Sequence, residues 1–307
     1  MSTMSGAPLP PMPLEPWIET KETLHRFLQV VGKVKLDQAP PRNHWWHVPF
    51  HLTGRGITTR PMGRELIFCI DLDFLDHRLA VTTVRGPSRS FSLEGLSVAA
   101  FHERLFTALR EVGIDAAIRP VPFDLTDRTP FPEDHAHATY VPEQVTRYWQ
   151  VLSAAGLLLE EFAGRCYAKT SPVHHFWHTF DLAVTRFSDK RVVHGPDVDP
   201  VTREAYSHEV VSSGFWFGDQ TFPEPAFYSY TSPEPEGLAE EPLLPAQGRW
   251  VTRGASHLAV LPYEVVRTSP DPRATVLTFL ESAYAAGASR AGWDVDALRS
   301  DDAPDLT

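Results

Sequence analysis

The sequence predicts an α+β fold in which mainly antiparallel sheets are covered by about four helices. Two observations carry this prediction. Apolar residues recur with a helical period in four segments, and with a period of two in the segments between them. Several period-two segments follow one another without a helix between them, which favours antiparallel sheets over a doubly wound parallel fold.

The four helices are predicted from apolar faces, and the last two begin near a proline, a residue favoured in the first helical turn. Their faces run through residues 17–31, 98–112, 145–162 and 276–284. The strands are predicted from alternation, as where Phe68, Ile70 and Leu72 alternate with polar neighbours. They fall at residues 68–74, 79–84, 91–93, 173–187, 205–211, 226–231 and 256–261.

The order of these segments predicts two α+β halves, residues 17–120 and 141–295, packed as one globular unit. A flexible Pro-rich arm is expected at 1–16 and a flexible acidic tail at 296–307. A weak internal echo relates HWWH at 44–47 to HFWH at 175–178. An internal duplication that gives two similar halves is therefore an open alternative.

The composition excludes several classes of protein. The 307 residues carry a formal net charge of −11, which argues against a nucleic-acid partner, and no apolar run is long enough for a membrane span. Two cysteines build no disulfide framework, so we expect a cytoplasmic protein. Phosphate-binding glycine loops, the serine-hydrolase elbow and the zinc-protease helix are absent from the sequence, and the oligomeric state stays open.

Histidines among aromatic strand residues form the candidate site. Strand alternation places His174, Phe176 and His178 on one face. Imidazole is a general acid or base near neutral pH and, with carboxylates, a ligand for divalent metals. The candidate catalytic residues are His174, His208, Glu209, Asp181 and His137. If a divalent metal binds, His174, His208 and His137 are its expected ligands; the cofactor itself stays unknown.

Aromatic residues near these strands are expected to wall an apolar pocket, and arginines to hold an anionic group. The candidate substrate-binding residues are Trp46, His47, Arg55, Trp177, Arg186, Trp216 and Tyr228. An ordinary core or surface role is the alternative for each of them. The leading hypothesis is a small-molecule enzyme with a histidine-lined aromatic cleft. A non-catalytic small-molecule-binding protein is the alternative, and a purely structural or partner-binding protein is a third.

Three segments resemble a family of uncharacterised bacterial proteins of about this length, a domain of unknown function. They are SPVHHFWHTFDLAVTRFS (171–188), EAYSHEVVSSGFW (204–216) and NHWWHVPFHLTGRGITTRP (43–61). The resemblance implies no established activity. It favours His47, His77, His137, His174, His208 and Glu209 over the other candidates. The family pattern reads SPVHFFWG, so His175 here replaces Phe and His178 replaces Gly, which weakens any metal site that requires His178.

Overall fold

The computed structural model describes residues 9–298, which form two antiparallel sheets and seven α-helices, so the predicted α+β class is confirmed. The helices are α1 (Ile18–Gln38), α2 (Val98–Glu111), α3 (Pro142–Ala163), α4 (Pro200–Ala205), α5 (Tyr263–Arg267), α6 (Pro272–Arg290) and α7 (Val295–Leu298). The four predicted helices are α1, α2, α3 and α6. No helix in the described residues is long and apolar enough to cross a membrane.

The first sheet is a meander in which the five strands pair in sequence order. Its strands are β1 (His51–Leu52), β2 (Gly56–Thr58), β3 (Phe68–Asp73), β4 (Arg78–Thr83) and β5 (Ser88–Ser92). Phe68, Ile70 and Leu72 are buried while their neighbours are partly exposed, as the alternation predicts. The sheet therefore has one face in the core.

The second sheet has six strands in the order β10-β11-β9-β8-β7-β6. They are β6 (His174–Phe176), β7 (Asp181–Arg191), β8 (His208–Trp216), β9 (Ala226–Ser232), β10 (Arg249–Arg253) and β11 (Ser256–Pro262). The strand predicted at 173–187 is in fact two strands joined by a turn, and residues 205–207 precede β8. Strand β10 is not among the predicted strands, because its side chains are largely exposed and show no apolar alternation.

Helices α3 and α6 pack on one face of the six-stranded sheet. A single large apolar cluster joins both halves and includes Phe50, Ile70, Tyr148 and Phe215. The backbones of the two halves also meet directly, since Phe50 N–H donates to the carbonyl of His175 (2.8 Å) and His175 N–H donates to that of Phe50 (3.0 Å). This bridge fixes β6 at the sheet edge beside β1.

The described part of the predicted Pro-rich arm is packed against the core. Met12 and Leu14 are buried, and the Tyr263 hydroxyl donates to the Pro10 carbonyl at 2.9 Å. Residues 1–8 and 299–307 lie outside the described residues, and residues 296–298 of the expected flexible tail belong to α7. The duplication stays a prediction, but its paired motifs differ in structure. Residues 43–45 form a 3-10 turn, whereas residues 174–176 form a strand.

Candidate functional site

A cavity of about 670 Å³ lies on the face of the six-stranded sheet opposite α3 and α6. Alternation along the strands selects its lining. On β7 the side chains of Asp181, Ala183, Thr185 and Phe187 face it, whereas Arg186, between the last two, faces the helices. The lining on β8 is Val210, Ser212 and Trp216. Small side chains therefore form much of the floor and large aromatic ones much of the wall.

A row of paired residues crosses the floor from β6 to β9. His174 pairs with Ala183, Ala183 with Gly214, and Gly214 with Tyr228. A Cβ atom on Gly214 would lie 2.5 Å from the Tyr228 hydroxyl and 2.2 Å from the Leu182 carbonyl, too close for any side chain. The glycine thus leaves space for the Tyr228 ring to lie across β8 and reach β7.

Asp181 is the residue that Tyr228 reaches. The hydroxyls of Tyr228 and Thr179 both donate to the Asp181 carboxylate. Among the described residues no Lys, Arg or His nitrogen forms an ion pair with it within 4.0 Å; His178 interacts with it beyond that distance, and burial raises the pKa of the Asp181 carboxyl. A buried acid with hydroxyl partners and no cation is poorly compensated within the protein itself.

His174 lies beside Asp181 on the same face. It is 1% exposed, and neither ring nitrogen has a hydrogen-bond partner. Burial, with a smaller contribution from Lys35, lowers the pKa of His174 to about 3, so the imidazole is neutral at neutral pH. Trp216, which pairs with Asp181 across the sheet, also lines the cavity and has a buried Nε1 without an acceptor.

The register sets the spacing of the two central residues. Because His174 pairs with Ala183, Asp181 is its diagonal neighbour, and such neighbours lie about 7–8 Å apart between Cα atoms. A ligand atom between them is within reach of both side chains. The ring of Trp46 packs edge-on against His174 at 6.3 Å and closes one side of this part of the cavity.

The segment 43–46 forms part of the cavity wall in a strained conformation. His44 and Trp45 have φ values of 55° and 59°, a region that non-glycine residues rarely adopt. Trp45 Nε1–H donates to the Val201 carbonyl at 3.1 Å, and His44 N–H donates to Glu204 at 3.0 Å. These bonds attach the segment to α4, whose residues line the cavity beside it.

The ring of His44 is oriented by two further contacts. Its Nδ1 lies 3.3 Å from the Ala205 carbonyl, and its Nε2 lies 2.5 Å from the Lys169 ammonium. A carbonyl oxygen only accepts, so Nδ1 carries the proton and Nε2 accepts from Lys169. His44 is thus fully partnered, unlike His174.

Two candidates on β8 lie away from His174. His208 pairs with Arg191 and comes six residues before Gly214 on β8. Gly214 lies level with His174 in the sheet, so His208 and His174 are offset along the strands by about 20 Å. Glu209 faces the other way and accepts from Trp293 Nε1–H at 2.7 Å. The sharing of a proton or a metal by His174 and His208 is therefore contradicted by the register.

His137 belongs to a separate cluster. Its Nδ1 lies 2.8 Å from the buried carboxylate of Asp134, which also faces Arg26 at 3.4 Å. No group of three or more histidine, cysteine or acidic side chains that could hold a metal occurs within residues 9–298. The expected ligand set of His174, His208 and His137 is not assembled, because each lies on a different part of the fold.

The two candidate arginines have other partners. Arg186 is 1% exposed, binds Glu281 at 3.2 Å and the Phe162 carbonyl, and stacks on the Phe162 ring. Arg55 is exposed and pairs with Asp73 and Asp76 at 2.5 and 2.7 Å, on the first sheet. Neither lines the cavity, so their predicted role in holding an anionic ligand there is corrected.

Trp177 and His47 are structural residues outside the cavity lining. The Trp177 ring fits against Gly32 of α1, where a Cβ would lie 2.2 Å from the ring, and its Nε1–H donates to the Val48 carbonyl. His47 Nδ1 accepts from Arg42 N–H at 3.1 Å. His77, which the resemblance favours, contacts the Tyr140 hydroxyl at 3.1 Å.

Of the candidates, the cavity brings together His174, Asp181, Trp46, Trp216 and Tyr228. The candidates from the sequence do not include Thr179, Gly214 or the hydroxyl pair of Tyr206 and Tyr230, whose oxygens lie 2.9 Å apart. In SSGFW (212–216) three small residues precede two aromatic ones. This pattern indicates a cavity floor on β8, since small residues beside large ones make room on a sheet face.

The comparison with protein families supplies the classification. A model described as "Family of unknown function (DUF5996)" matches residues 9–300. The chain belongs to this family. The resemblance noted from the sequence motifs is thereby confirmed for an uncharacterised family of about 300 residues. For this DUF5996 protein, searches of curated proteins and of solved structures gave no match.

Proposed function

We propose that this DUF5996 protein binds a small organic molecule on the open face of the six-stranded sheet. The observation that carries the proposal is His174, a nearly inaccessible imidazole on the cavity lining whose two nitrogens both lack a partner. Buried polar groups in proteins are almost always satisfied, and an unsatisfied one costs about 1–3 kcal/mol. A ligand that hydrogen-bonds His174 offsets that cost.

The rest of the lining fits such a ligand. Ligand pockets occupy about 300–1,000 Å³ and combine apolar and aromatic walls with a few polar groups. This cavity has about 670 Å³, with Trp46, Trp216 and Tyr228 in its walls and Asp181 on its floor. The Trp216 Nε1–H supplies a further donor with no protein acceptor.

A direct test uses a neutral apolar dye, N-phenyl-1-naphthylamine, whose fluorescence rises in apolar sites. We expect saturable binding to the full chain with one dye per protein. Ala183→Phe places a ring on the cavity floor and should weaken binding at least about tenfold, or about 1.4 kcal/mol. Ala80→Phe makes the same substitution on β4 of the first sheet and should leave binding unchanged.

Thermal unfolding of both variants shows whether either has lost the fold. A folded Ala183→Phe protein that binds dye as well as the wild type would contradict the proposal. So would a dye that does not bind the wild type at all.

Acid–base catalysis at Asp181 is the second candidate function. Burial raises the pKa of the Asp181 carboxyl, which is the direction that favours a carboxyl as a general acid or base. His174 fits this role poorly, because an imidazole with a pKa of about 3 is a weak base. Mass spectrometry of a ligand incubated with the protein distinguishes the two: chemical conversion that Asp181→Asn abolishes favours catalysis, and an unchanged ligand favours binding alone.

For the compartment, we keep the cytoplasm as part of the proposal. Cys69 and Cys166 are both free thiols, which suits a reducing environment. Mass spectrometry of alkylated protein from its native cells tests this, because two labelled thiols are expected and a disulfide is not.

A further inference from the structure

The surroundings of Asp181 indicate the charge of the missing partner. Its two neighbours in the sheet register are aromatic, Phe176 on β6 and Trp216 on β8. Tyr228 approaches from β9 and donates its hydroxyl. All three aromatic residues line the cavity, so the carboxylate is bordered by rings on three strands.

The net charge of the lining has the same sign as the charge of Asp181. Three carboxylates (Asp181, Asp219, Glu234) stand against one guanidinium (Arg253), a formal charge of −2. Asp219 pairs with Arg253 at 3.2 Å, and Glu234 lies 2.7 Å from His257 Nδ1. Of the three carboxylates, Asp181 is the one with no cationic or imidazole partner within 4.0 Å among the described residues.

We propose, resting on the proposed function, that the ligand is an organic cation, a protonated or quaternary amine. Its positive charge lies against the Asp181 carboxylate, between the rings of Phe176, Trp216 and Tyr228. Aromatic faces attract cations through the ring quadrupole, and desolvation strengthens the attraction. An aromatic wall around an unpaired carboxylate therefore favours a cation over a neutral molecule of the same shape.

The imidazole of His174 and the Nε1–H of Trp216, which have no hydrogen-bond partner, define the remainder of the ligand. A protonated amine also donates N–H to an unprotonated His174 nitrogen, the diagonal neighbour of Asp181. Trp216 Nε1–H requires an acceptor, which a hydroxyl or carbonyl oxygen on the ligand supplies.

The test compares two probes of nearly equal shape, choline and its neutral isostere 3,3-dimethylbutan-1-ol. Each is titrated into the full-length protein at pH 7.5 while the tryptophan fluorescence is recorded, since Trp45, Trp46 and Trp216 line the cavity. We expect choline to bind at least about tenfold more tightly than the alcohol.

Two variants locate the effect. Asp181→Asn keeps the size of the side chain and removes its charge, so the ratio of the two affinities should fall to near one. Asp71→Asn makes the same substitution on β3 of the first sheet, outside the cavity lining, so choline should keep its preference over the alcohol.

The outcomes separate this inference from the proposed function. Three results overturn the inference of an organic cation while dye binding persists. They are alcohol that binds as tightly as choline, an affinity ratio that Asp181→Asn leaves unchanged, and no binding of choline. Failure of both choline and N-phenyl-1-naphthylamine to bind overturns the proposed function as well. Preference for choline that disappears in Asp181→Asn and persists in Asp71→Asn supports the inference.

Discussion

Arg186 and Asp181 lie on the same strand, β7, on opposite faces of the six-stranded sheet, and both are buried. Arg186 faces the helices, where Glu281 and the Phe162 carbonyl accept its hydrogen bonds and the Tyr284 ring stacks at 4.5 Å. Asp181 faces the cavity and has two hydroxyl donors but no cation. The difference separates a charge used for packing from one available to a ligand.

The neighbouring histidines of β6 repeat this contrast. His175 faces the core with its Nε2 2.8 Å from the Tyr148 hydroxyl and its Nδ1 without a partner, whereas His174 faces the cavity with no partner on either nitrogen. Partners within the fold identify a structural role, and their absence on the cavity side identifies a position for a ligand.

The largest effect is expected on the helix side. Arg186→Ala removes the ion pair with Glu281, the bond to the Phe162 carbonyl and the stacking on two rings. We expect the free energy of unfolding to fall by about 3 kcal/mol, as for other broken buried pairs, with dye affinity unchanged in the folded fraction. Urea denaturation measures the first and dye titration the second. Full stability with weakened dye binding would place Arg186 in the site instead.

Gly214→Ala should affect both stability and binding. The added Cβ meets the Leu182 carbonyl and the Tyr228 hydroxyl, so the bond from Tyr228 to Asp181 is broken. We expect a loss of about 2 kcal/mol in the free energy of unfolding and weaker dye binding. Gly54→Ala, where no heavy atom lies within 4 Å of the added Cβ and φ lies outside the left-handed region, is the control for a changed glycine. Equal dye affinity in Gly214→Ala and the wild type would show that the Tyr228 position is irrelevant.

His174→Leu should change how stability depends on pH. The folded pKa of His174 is about 3 and the ordinary value is 6.5, so between these values the unfolded chain binds the proton first. Stability is therefore full above about pH 6.5 and falls as the pH falls. The variant lacks this contribution, and its slope between pH 6 and 4 should be shallower by up to about 1.4 kcal/mol per pH unit.

At pH 7 the same variant should be more stable by about 1 kcal/mol, because an unsatisfied buried polar group is replaced by an apolar one. Urea denaturation from pH 4 to 7.5 measures both quantities. His25, His51 and His175 also have lowered pKa values, so the wild type and the variant both lose stability in acid. An unchanged slope in His174→Leu would show that His174 is not buried and neutral.

The smallest effect is expected at Arg55, an exposed residue paired with Asp73 and Asp76 on the first sheet. Exposed ion pairs contribute little because solvent screens them. Arg55→Ala should leave the urea midpoint and the dye affinity within error of the wild type. A loss of dye binding would restore Arg55 as a ligand-binding residue and extend the site to the first sheet.

The sequence predicted elements and faces well, since both follow from local periodicity. The four long helices are present in the fold, and His174, Phe176 and His178 all line the cavity, but His178 lies in the turn after β6 and not on the predicted strand. The sequence does not predict which residues pair between strands that are distant along the chain. The sequence predicts one site for His174 and His208 because both lie in aromatic strands beside carboxylates, but the pairing of His174 with Ala183 and of Ala183 with Gly214 separates them.

The role of Gly214 shows the same limit. Its effect depends on Tyr228, its partner on the next strand, and no local pattern links the two residues. Arg186 was assigned to a ligand because its partners, on α3 and α6, are distant in sequence. The roles of Gly214 and Arg186 follow only from contacts between residues that are distant in sequence.

The most direct test of the central claim is nuclear magnetic resonance of the protein labelled with ¹⁵N in its histidine rings, recorded with and without saturating N-phenyl-1-naphthylamine. His174→Leu and His175→Phe identify the two sets of signals. The account predicts that the ring nitrogens of His174 shift on binding while those of His175, held by Tyr148 on the other face, stay in place. A shift of His175 alone, or of neither ring at saturation, would contradict it.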